Sequence, residues 1–141
     1  MENGKSNDSI KWDKVYLIGD EHIDNQHHQL FELLNNFIIS CEKSADISVI
    51  KGTLDFLVNY TIQHFNDEET LQIKCNYPEY EKHKQMHEDF KVSVVDLVQR
   101  FFGSESLSEL STDIKKVIIK WLIHHIIYED KKIGVYLRRL G

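Results

Sequence analysis

Residues 50–71 read IKGTLDFLVNYTIQHFNDEETL, and this stretch decides the fold class. Mostly apolar residues recur in it at alternating steps of four and three, the spacing of one face of an amphipathic helix. The face includes two polar residues that can bind metal, His64 and Glu68. Residues four apart project from the same side of a helix, so the pattern predicts that this pair points into the core. The stripe consists of Ile50, Leu54, Leu57, Thr61, His64, Glu68 and Leu71.

Three other segments carry similar stripes, each with possible metal ligands at one end. One begins at His27 and runs to Cys41, one begins at His83 and His87, and one ends at His125, five residues before Asp130. The sequence therefore indicates four helices that bury a shared set of potential ligands. The set is His27, His64, Glu68, His83, His87, His125 and Asp130.

Burial of these groups needs a physical explanation. A carboxylate or an imidazolium in a protein core is strongly disfavoured unless it is paired or binds a metal. Any one of the histidines could be a core residue with a hydrogen-bond partner, or a solvated helix residue. That explanation fails for the set, because four stripes would have to be interrupted independently near one end. A shared cation is the simpler interpretation, and the ligands are enough for two ions.

The chain divides into one arm and four long helices. We expect residues 1–10 to be disordered and residues 11–141 to form one domain. Trp12, Tyr16 and Ile18, in an extended arm over residues 12–23, should pack across the bundle. The predicted helices cover about 24–43, 47–74, 78–102 and 107–129, with a short C-terminal helix over 131–140. Pro78 should lie in a first helical turn, Gly103 should end that helix, and Ser106 with Glu109 forms a capping box.

Short connections between long helices favour an all-α, up-down-up-down antiparallel four-helix bundle. Composition agrees with a protein that binds neither nucleic acid nor membrane. The net charge is −6 and no basic cluster is present, while no apolar run approaches the roughly 20 residues of a membrane helix. The polar start, MENGKSNDSIKW, lacks a secretory signal, so we expect a cytoplasmic protein. Cys41 and Cys75 are too few for a disulfide framework, and we expect free thiols.

Four segments resemble the ligand-bearing helices of hemerythrins, specifically the single-domain bacterial ones. They are IDNQHHQLFELLNNF, YTIQHFNDEE, YPEYEKHKQMHEDF and WLIHHIIYED, and KWDKVYLIGDEHID resembles the N-terminal arm of the family. The combined motif HxxxE, HxxxH and HxxxxD is highly specific, and the similarity covers residues 11–137. Gln72 and Asn76 depart from the family pattern, which has methionine and glycine there.

The resemblance implies a non-heme centre of two iron ions (Fe2+/Fe3+) joined by an oxo or hydroxo bridge. His83, His87 and His125 would bind one iron, His27 and His64 the other, and Glu68 and Asp130 would bridge them. The second iron would then keep a vacant position for dioxygen. Leu122 matches an apolar residue of the oxygen pocket in the family, and Trp121 is assigned to the same pocket. Ordinary core packing explains Leu122 equally well.

The residues themselves favour iron, because imidazoles and carboxylates suit it whereas structural zinc sites favour thiolates. His125 and Asp130 are five apart, about 140° around an ideal helix. Either Asp130 reaches back from the helix end or the backbone widens, and we predict a π-type turn. His22, His28 and His124 fall on no ligand position of the family. We expect them to face solvent or to contact the ligands from outside.

The resemblance implies reversible dioxygen binding, for storage, delivery or sensing, in a protein that is not an enzyme. The alternative is a di-iron redox enzyme or an iron-handling protein that scavenges peroxide or nitric oxide. A purely structural metal bundle is a third hypothesis. A vacant coordination position would separate the first two from the third, and turnover would separate them from each other. Besides dioxygen, an oxygen-consuming enzyme or a redox partner would be its partner, and we expect a monomer.

Overall fold

The computed structural model of the protein describes residues 11–43, 46–102, 109, 112–113 and 115–140. Its first three long helices are α1 (Glu21–Glu42), α2 (Ile47–Lys74) and α3 (Tyr80–Phe102). The fourth, α4, has four consecutive segments: Lys115–Ile119, Lys120–His124, His125–Asp130 and Lys131–Leu140. The helices form the expected antiparallel four-helix bundle, and no β-strand occurs among the described residues.

The bundle differs from the sequence prediction mainly at the helix ends. α1 begins at Glu21, three residues early, because the Asp20 carboxylate caps it by accepting a hydrogen bond from the Ile23 N–H at 3.0 Å. Pro78 lies in the turn before α3 and not in its first helical turn. The C-terminal helix, Lys131–Leu140, is present but continues directly from the preceding segment. The predicted disorder of residues 1–10, the Gly103 stop and Ser106 of the capping box lie outside the described residues.

Asn76 ends α2 in a way that explains its departure from the family pattern. Its φ of 55° lies in the left-handed region, where asparagine is tolerated better than most residues. The N–H of Tyr77 donates to the carbonyl of Gln72 at 2.9 Å and that of Asn76 to Ile73 at 3.2 Å. These two bonds are those of a Schellman motif, so asparagine serves here where glycine is usual.

The N-terminal arm packs across the bundle, as predicted, but it is not extended throughout, because Lys14–Tyr16 forms a 3-10 helix that the Asp13 side chain caps. Trp12 and Tyr16 both contact the ring of Phe31 edge-on, and Ile18 is buried. The carboxylate of Asp24 in α1 accepts the Ile18 N–H at 2.7 Å and so fixes the arm to that helix. α4 approaches the same point so closely that a Cβ on Gly134 would overlap the Ile18 carbonyl oxygen. The arm and the end of α4 therefore close one end of the bundle.

The apolar core fills the other part of the bundle with residues from all four helices. Its fully buried members include Leu34, Phe37, Ile50, Leu54 and Ile126. Within the described ranges, no helix combines the length and the apolar character that crossing a bilayer would require. The possible metal ligands, which the sequence places at one end of each apolar stripe, lie together beyond this core and form a separate cluster.

Candidate metal centre

All seven predicted ligands meet in one buried cluster. α1 contributes His27, α2 contributes His64 and Glu68, α3 contributes His83 and His87, and α4 contributes His125 and Asp130. Each residue is at most 4% exposed, so water does not compensate for their polarity. The structure thus brings together side chains that are up to 103 positions apart, counted from His27 to Asp130.

The cluster consists of two overlapping groups, in each of which the possible ligand atoms lie within 4.8 Å of one another. The larger group is Glu68, His83, His87, His125 and Asp130, and the smaller group is His27, His64, Glu68 and Asp130. Glu68 and Asp130 belong to both. A carboxylate has two oxygens, so each of these residues can serve both groups at once. The arrangement therefore has room for two cations with two shared anions.

Every histidine of the cluster turns the same ring atom towards the carboxylates. The Nε2 atoms of His83 and His87 lie 2.7 and 3.2 Å from Glu68 Oε1. Those of His64 and His27 lie 3.4 and 3.6 Å from Glu68 Oε2. The two oxygens of Glu68 thus face different histidine pairs, which is the geometry required of a carboxylate shared by two metal positions.

Asp130 completes the cluster because the backbone of α4 widens. The segment His125–Asp130 is a π-helix, which confirms the prediction made from the five-residue spacing. A π-helix has more residues per turn than an α-helix, so residues five apart come to the same side. Asp130 Oδ1 accordingly lies 3.1 Å from Nε2 of His125 and 3.0 Å from that of His83, while its Oδ2 lies 3.0 Å from His27.

The two buried carboxylates create a strongly negative environment. Burial alone would lower the pKa of His27, but Asp130 and Glu68 outweigh burial and raise it to about 9. Against the same opposing effect of burial, they raise the pKa of His83 to about 10. Burial would raise the pKa of Glu68, yet hydrogen bonds from the surrounding histidines hold it well below its ordinary range. The cluster therefore stabilises positive charge at its centre.

Several polar atoms of the cluster make no hydrogen bond of acceptable angle within the described part of the chain, although most of them lie close to an oppositely charged group. They are both ring nitrogens of His27, Oε2 of Glu68 and both carboxylate oxygens of Asp130. An unsatisfied buried polar atom costs about 1–3 kcal/mol, and more when it is charged. Metal coordination would satisfy all of them except the outer nitrogen of His27. The donor set of imidazoles and carboxylates, without thiolate, fits iron, so the residues present fit a pair of iron ions.

Two of the histidines are held from outside by buried polar side chains that the sequence analysis missed. His64 Nδ1 lies 2.9 Å from Gln26 Oε1, and His87 Nδ1 lies 2.8 Å from Glu69 Oε2. Gln26 precedes His27 and Glu69 follows Glu68 in the sequence. A glutamine and a glutamate at a stripe edge resemble solvated residues, so only their adjacency to a ligand could have indicated them. Such outer partners fix the ring orientation and raise the basicity of a ligating histidine.

Aromatic rings cover the larger group on its core side. Phe65 stacks on His87 with ring centroids 3.9 Å apart, and Trp121 stacks on His125 at 4.3 Å. Phe90 stacks on Trp121 at 4.0 Å. Leu122 is buried in the apolar core. The three aromatic rings separate the polar cluster from water on that side.

The remaining histidines and the cysteines lie outside the cluster. His22, His28 and His124 are exposed, as expected. His28 stacks on Trp12, and His22 bonds to Asp67 at 2.9 Å. Cys41 is partly buried against the core and Cys75 caps α2, and neither forms a disulfide bond.

Comparison with known proteins decides the family. A sequence model described as the hemerythrin HHE cation binding domain matches residues 18–137. The chain belongs to the hemerythrin family. Among its hemerythrin relatives, the bacteriohemerythrin of Stenotrophomonas maltophilia is 31% identical over 122 residues, which cover 86% of this chain and 77% of that protein.

Two further hemerythrins extend the comparison. The bacteriohemerythrin of Methylococcus capsulatus is 31% identical over 111 residues, covering 79% of this chain and 82% of that protein. A solved structure of wild-type hemerythrin matches with a TM-score of 0.81 at 28% identity, covering 91% of this chain and 97% of that one. The hemerythrin fold is therefore shared over nearly the whole described bundle, including the helices that carry the cluster.

Proposed function

We propose that this protein binds dioxygen reversibly at a di-iron centre. His83, His87 and His125 would hold one iron, His27 and His64 the other, and Glu68 and Asp130 would serve both. The observation that carries the proposal is the unequal division of the cluster into groups of five and four ligands that share these two carboxylates. A metal held by the smaller group would have one protein ligand fewer than its neighbour. The position left open on that metal would be the binding site for dioxygen.

The chemistry of binding comes from iron, since each of two ferrous ions can supply one electron to dioxygen. The role of the chain is to make that transfer reversible. Five of the seven ligands are imidazoles, which carry no negative charge, and only two are carboxylates. A site rich in neutral histidine stabilises the oxidised ions less than a carboxylate-rich site would, and this favours reversible binding. Phe65 and Trp121 stack on ligand histidines. Leu122 follows Trp121 in the sequence and is buried. We assign Leu122 and Trp121 to the wall of an oxygen pocket that excludes water.

The chain also offers the pocket little acid–base chemistry. His22, His28 and His124 are exposed, and the buried Glu69 is already bonded to His87. A scavenging enzyme needs a group that delivers protons to its substrate. The described residues supply no uncommitted buried acid of this kind beside the aromatic wall, and this favours binding over turnover.

The test is the visible spectrum of the iron-loaded protein, recorded after anaerobic reduction, after exposure to air and again after removal of oxygen. We expect a charge-transfer band that appears in air and disappears when oxygen is removed, over several cycles. A spectrum that does not respond to air contradicts oxygen binding. A band that is lost only with consumption of added peroxide or nitric oxide, and never on removal of oxygen, would instead assign the scavenging function.

A further inference from the structure

A chain of hydrogen bonds joins the protein surface to His64. The exposed His22 bonds through Nε2 to Asp67 Oδ2 at 2.9 Å. Gln26 donates from its Nε2 to the same oxygen at 2.7 Å, and its Oε1 lies 2.9 Å from Nδ1 of the buried His64. The side chain of His22 is 68% exposed and that of His64 is 1% exposed. Three hydrogen bonds therefore span the whole distance from solvent to the smaller ligand group.

The direction of the hydrogen bonds from Asp67 to His64 is fixed because Asp67, the second member of the network, is a carboxylate. An ionised aspartate accepts hydrogen bonds and cannot donate them. Asp67 also accepts from Gln63 Nε2 at 2.8 Å, so its oxygens are surrounded by donors. Gln26 must therefore turn its NH2 group towards Asp67, and its carbonyl oxygen is left facing His64. A carbonyl oxygen can only accept, so the hydrogen of a neutral His64 must reside on Nδ1.

We propose that Asp67, acting through Gln26, sets the tautomer of His64 and so keeps its Nε2 available to a metal. With the hydrogen on Nδ1, the Nε2 lone pair points into the ligand cluster. With the opposite tautomer, Nε2 would carry a hydrogen and could not bind. Asp67 is thus a positioning residue for the metal site although it lies outside both ligand groups. The proposal rests on the proposed function only in naming iron as the bound metal.

The two metal positions differ in how their histidines are oriented. In the larger group, His87 donates directly to the carboxylate of Glu69. In the smaller group, Nδ1 of His27 has no partner among the described residues, so His64 is the histidine of that group with a defined outer contact. Control of its tautomer therefore matters most at the metal position with fewer ligands.

The discriminating variant is Asp67→Asn. It keeps the shape of the side chain but no longer fixes the direction of the hydrogen bonds, because an asparagine can both donate and accept. An asparagine can offer its NH2 group to Gln26, which permits the Gln26 amide to invert and favours the wrong tautomer of His64. Nitrogen-15 NMR of the ring of His64 is measured in metal-free protein with Glu68→Ala, because the Glu68 carboxylate 3.4 Å from Nε2 would otherwise favour a hydrogen there. In this background, verified as helical by circular dichroism, His64 should take the Nδ1–H form as long as Asp67 is intact. In Asp67→Asn a substantial share of the Nε2–H form should appear.

The second readout is the affinity of the protein for ferrous iron, measured by competition with a chelator. We expect Asp67→Asn to weaken one of the two iron positions by about 10–100-fold, the range for loss of an outer partner of a ligand. Gln26→Met, which removes the acceptor of His64, should weaken the same position. Asp55→Asn, at an exposed aspartate of the same helix, is the matched control and should leave both readouts unchanged.

His22→Ala tests whether the acceptor role of Asp67 matters or only an intact hydrogen-bond network. It removes one donor but leaves Asp67 as an acceptor, so the tautomer and the affinity should stay close to wild type. The inference is overturned if Asp67→Asn keeps the Nδ1–H form and wild-type affinity, or if His22→Ala is as harmful as Asp67→Asn. If the wild type binds no iron, the proposed function fails, while the tautomer of His64 still decides this inference.

Discussion

Replacement of Glu68 by glutamine tests whether one carboxylate serves both metal positions. Glu68→Gln keeps the size of the side chain and removes its charge. The side chain lies within 3.6 Å of the Nε2 atoms of four histidines and belongs to both ligand groups. A neutral amide would bind both ions weakly, so the variant should lose affinity at two positions at once. A residue that served only one position would affect only one.

The expected loss of iron affinity can be bounded from the effect of removing an outer partner of a ligand. Loss of an outer partner weakens a metal site by about 10–100-fold, and loss of a direct ligand should exceed that range. One hundredfold corresponds to about 2.7 kcal/mol, so two positions should lose roughly 5 kcal/mol or more in total. Metal that binds only the folded state adds its binding free energy to folding. The free energy of unfolding of the iron-loaded protein should therefore fall by a similar amount.

The assay is a chelator titration of the iron-loaded protein followed by urea unfolding of the same samples. Glu81→Gln, at an exposed glutamate of α3, is the matched control and should behave as the wild type does. Retention of both irons by Glu68→Gln, with a wild-type chelator midpoint, would refute the shared role of this carboxylate. Loss of a single iron would assign Glu68 to one position only.

Three further predictions address charge, packing and the oxygen pocket. In metal-free protein the pKa of His27 is raised from 6.5 to about 9, so its stabilisation is present below pH 6.5 and lost as the pH rises to 9. Urea unfolding should give a loss on the order of 3 kcal/mol, and equal stability at the two pH values would contradict the ion pairing. Gly134→Ala should destabilise the protein by about 1–3 kcal/mol because its Cβ meets the Ile18 carbonyl. The control Gly52→Ala, with open space around it, should stabilise the protein slightly. A Gly134→Ala variant that unfolds at the wild-type temperature would argue against the close contact. Leu122→Ser should speed autoxidation of the oxygenated protein, because a polar wall admits water, and a decay rate equal to wild type would make Leu122 ordinary core.

The sequence predicted the cluster well because its signal is periodic. His64 and Glu68 continue an apolar stripe at helical spacing, and a buried polar pair on such a stripe requires a partner. The five-residue step from His125 to Asp130 carried information for the same reason. It fits no α-helical face, so a ligand role for both residues left either an Asp130 that reaches back from the helix end or a widened backbone, and the structure contains the π-helix.

Other features depend on contacts between distant residues and gave no local signal. Gln26 and Asp67 are 41 positions apart, and nothing in either segment shows that they bond to each other. The early start of α1 depends on the Asp20 cap, whereas apolar periodicity places helix ends only within a few residues. The π-helical segment Lys115–Ile119 was likewise not predicted, since no ligand spacing marks it.

The most direct test of the central claim is the iron content of the purified protein after expression with ample iron. Seven side chains in two groups with shared carboxylates predict two iron ions per chain, released together when Glu68 or Asp130 is neutralised. A ratio of one ion per chain, or occupancy by zinc alone under the same conditions, would contradict the di-iron centre.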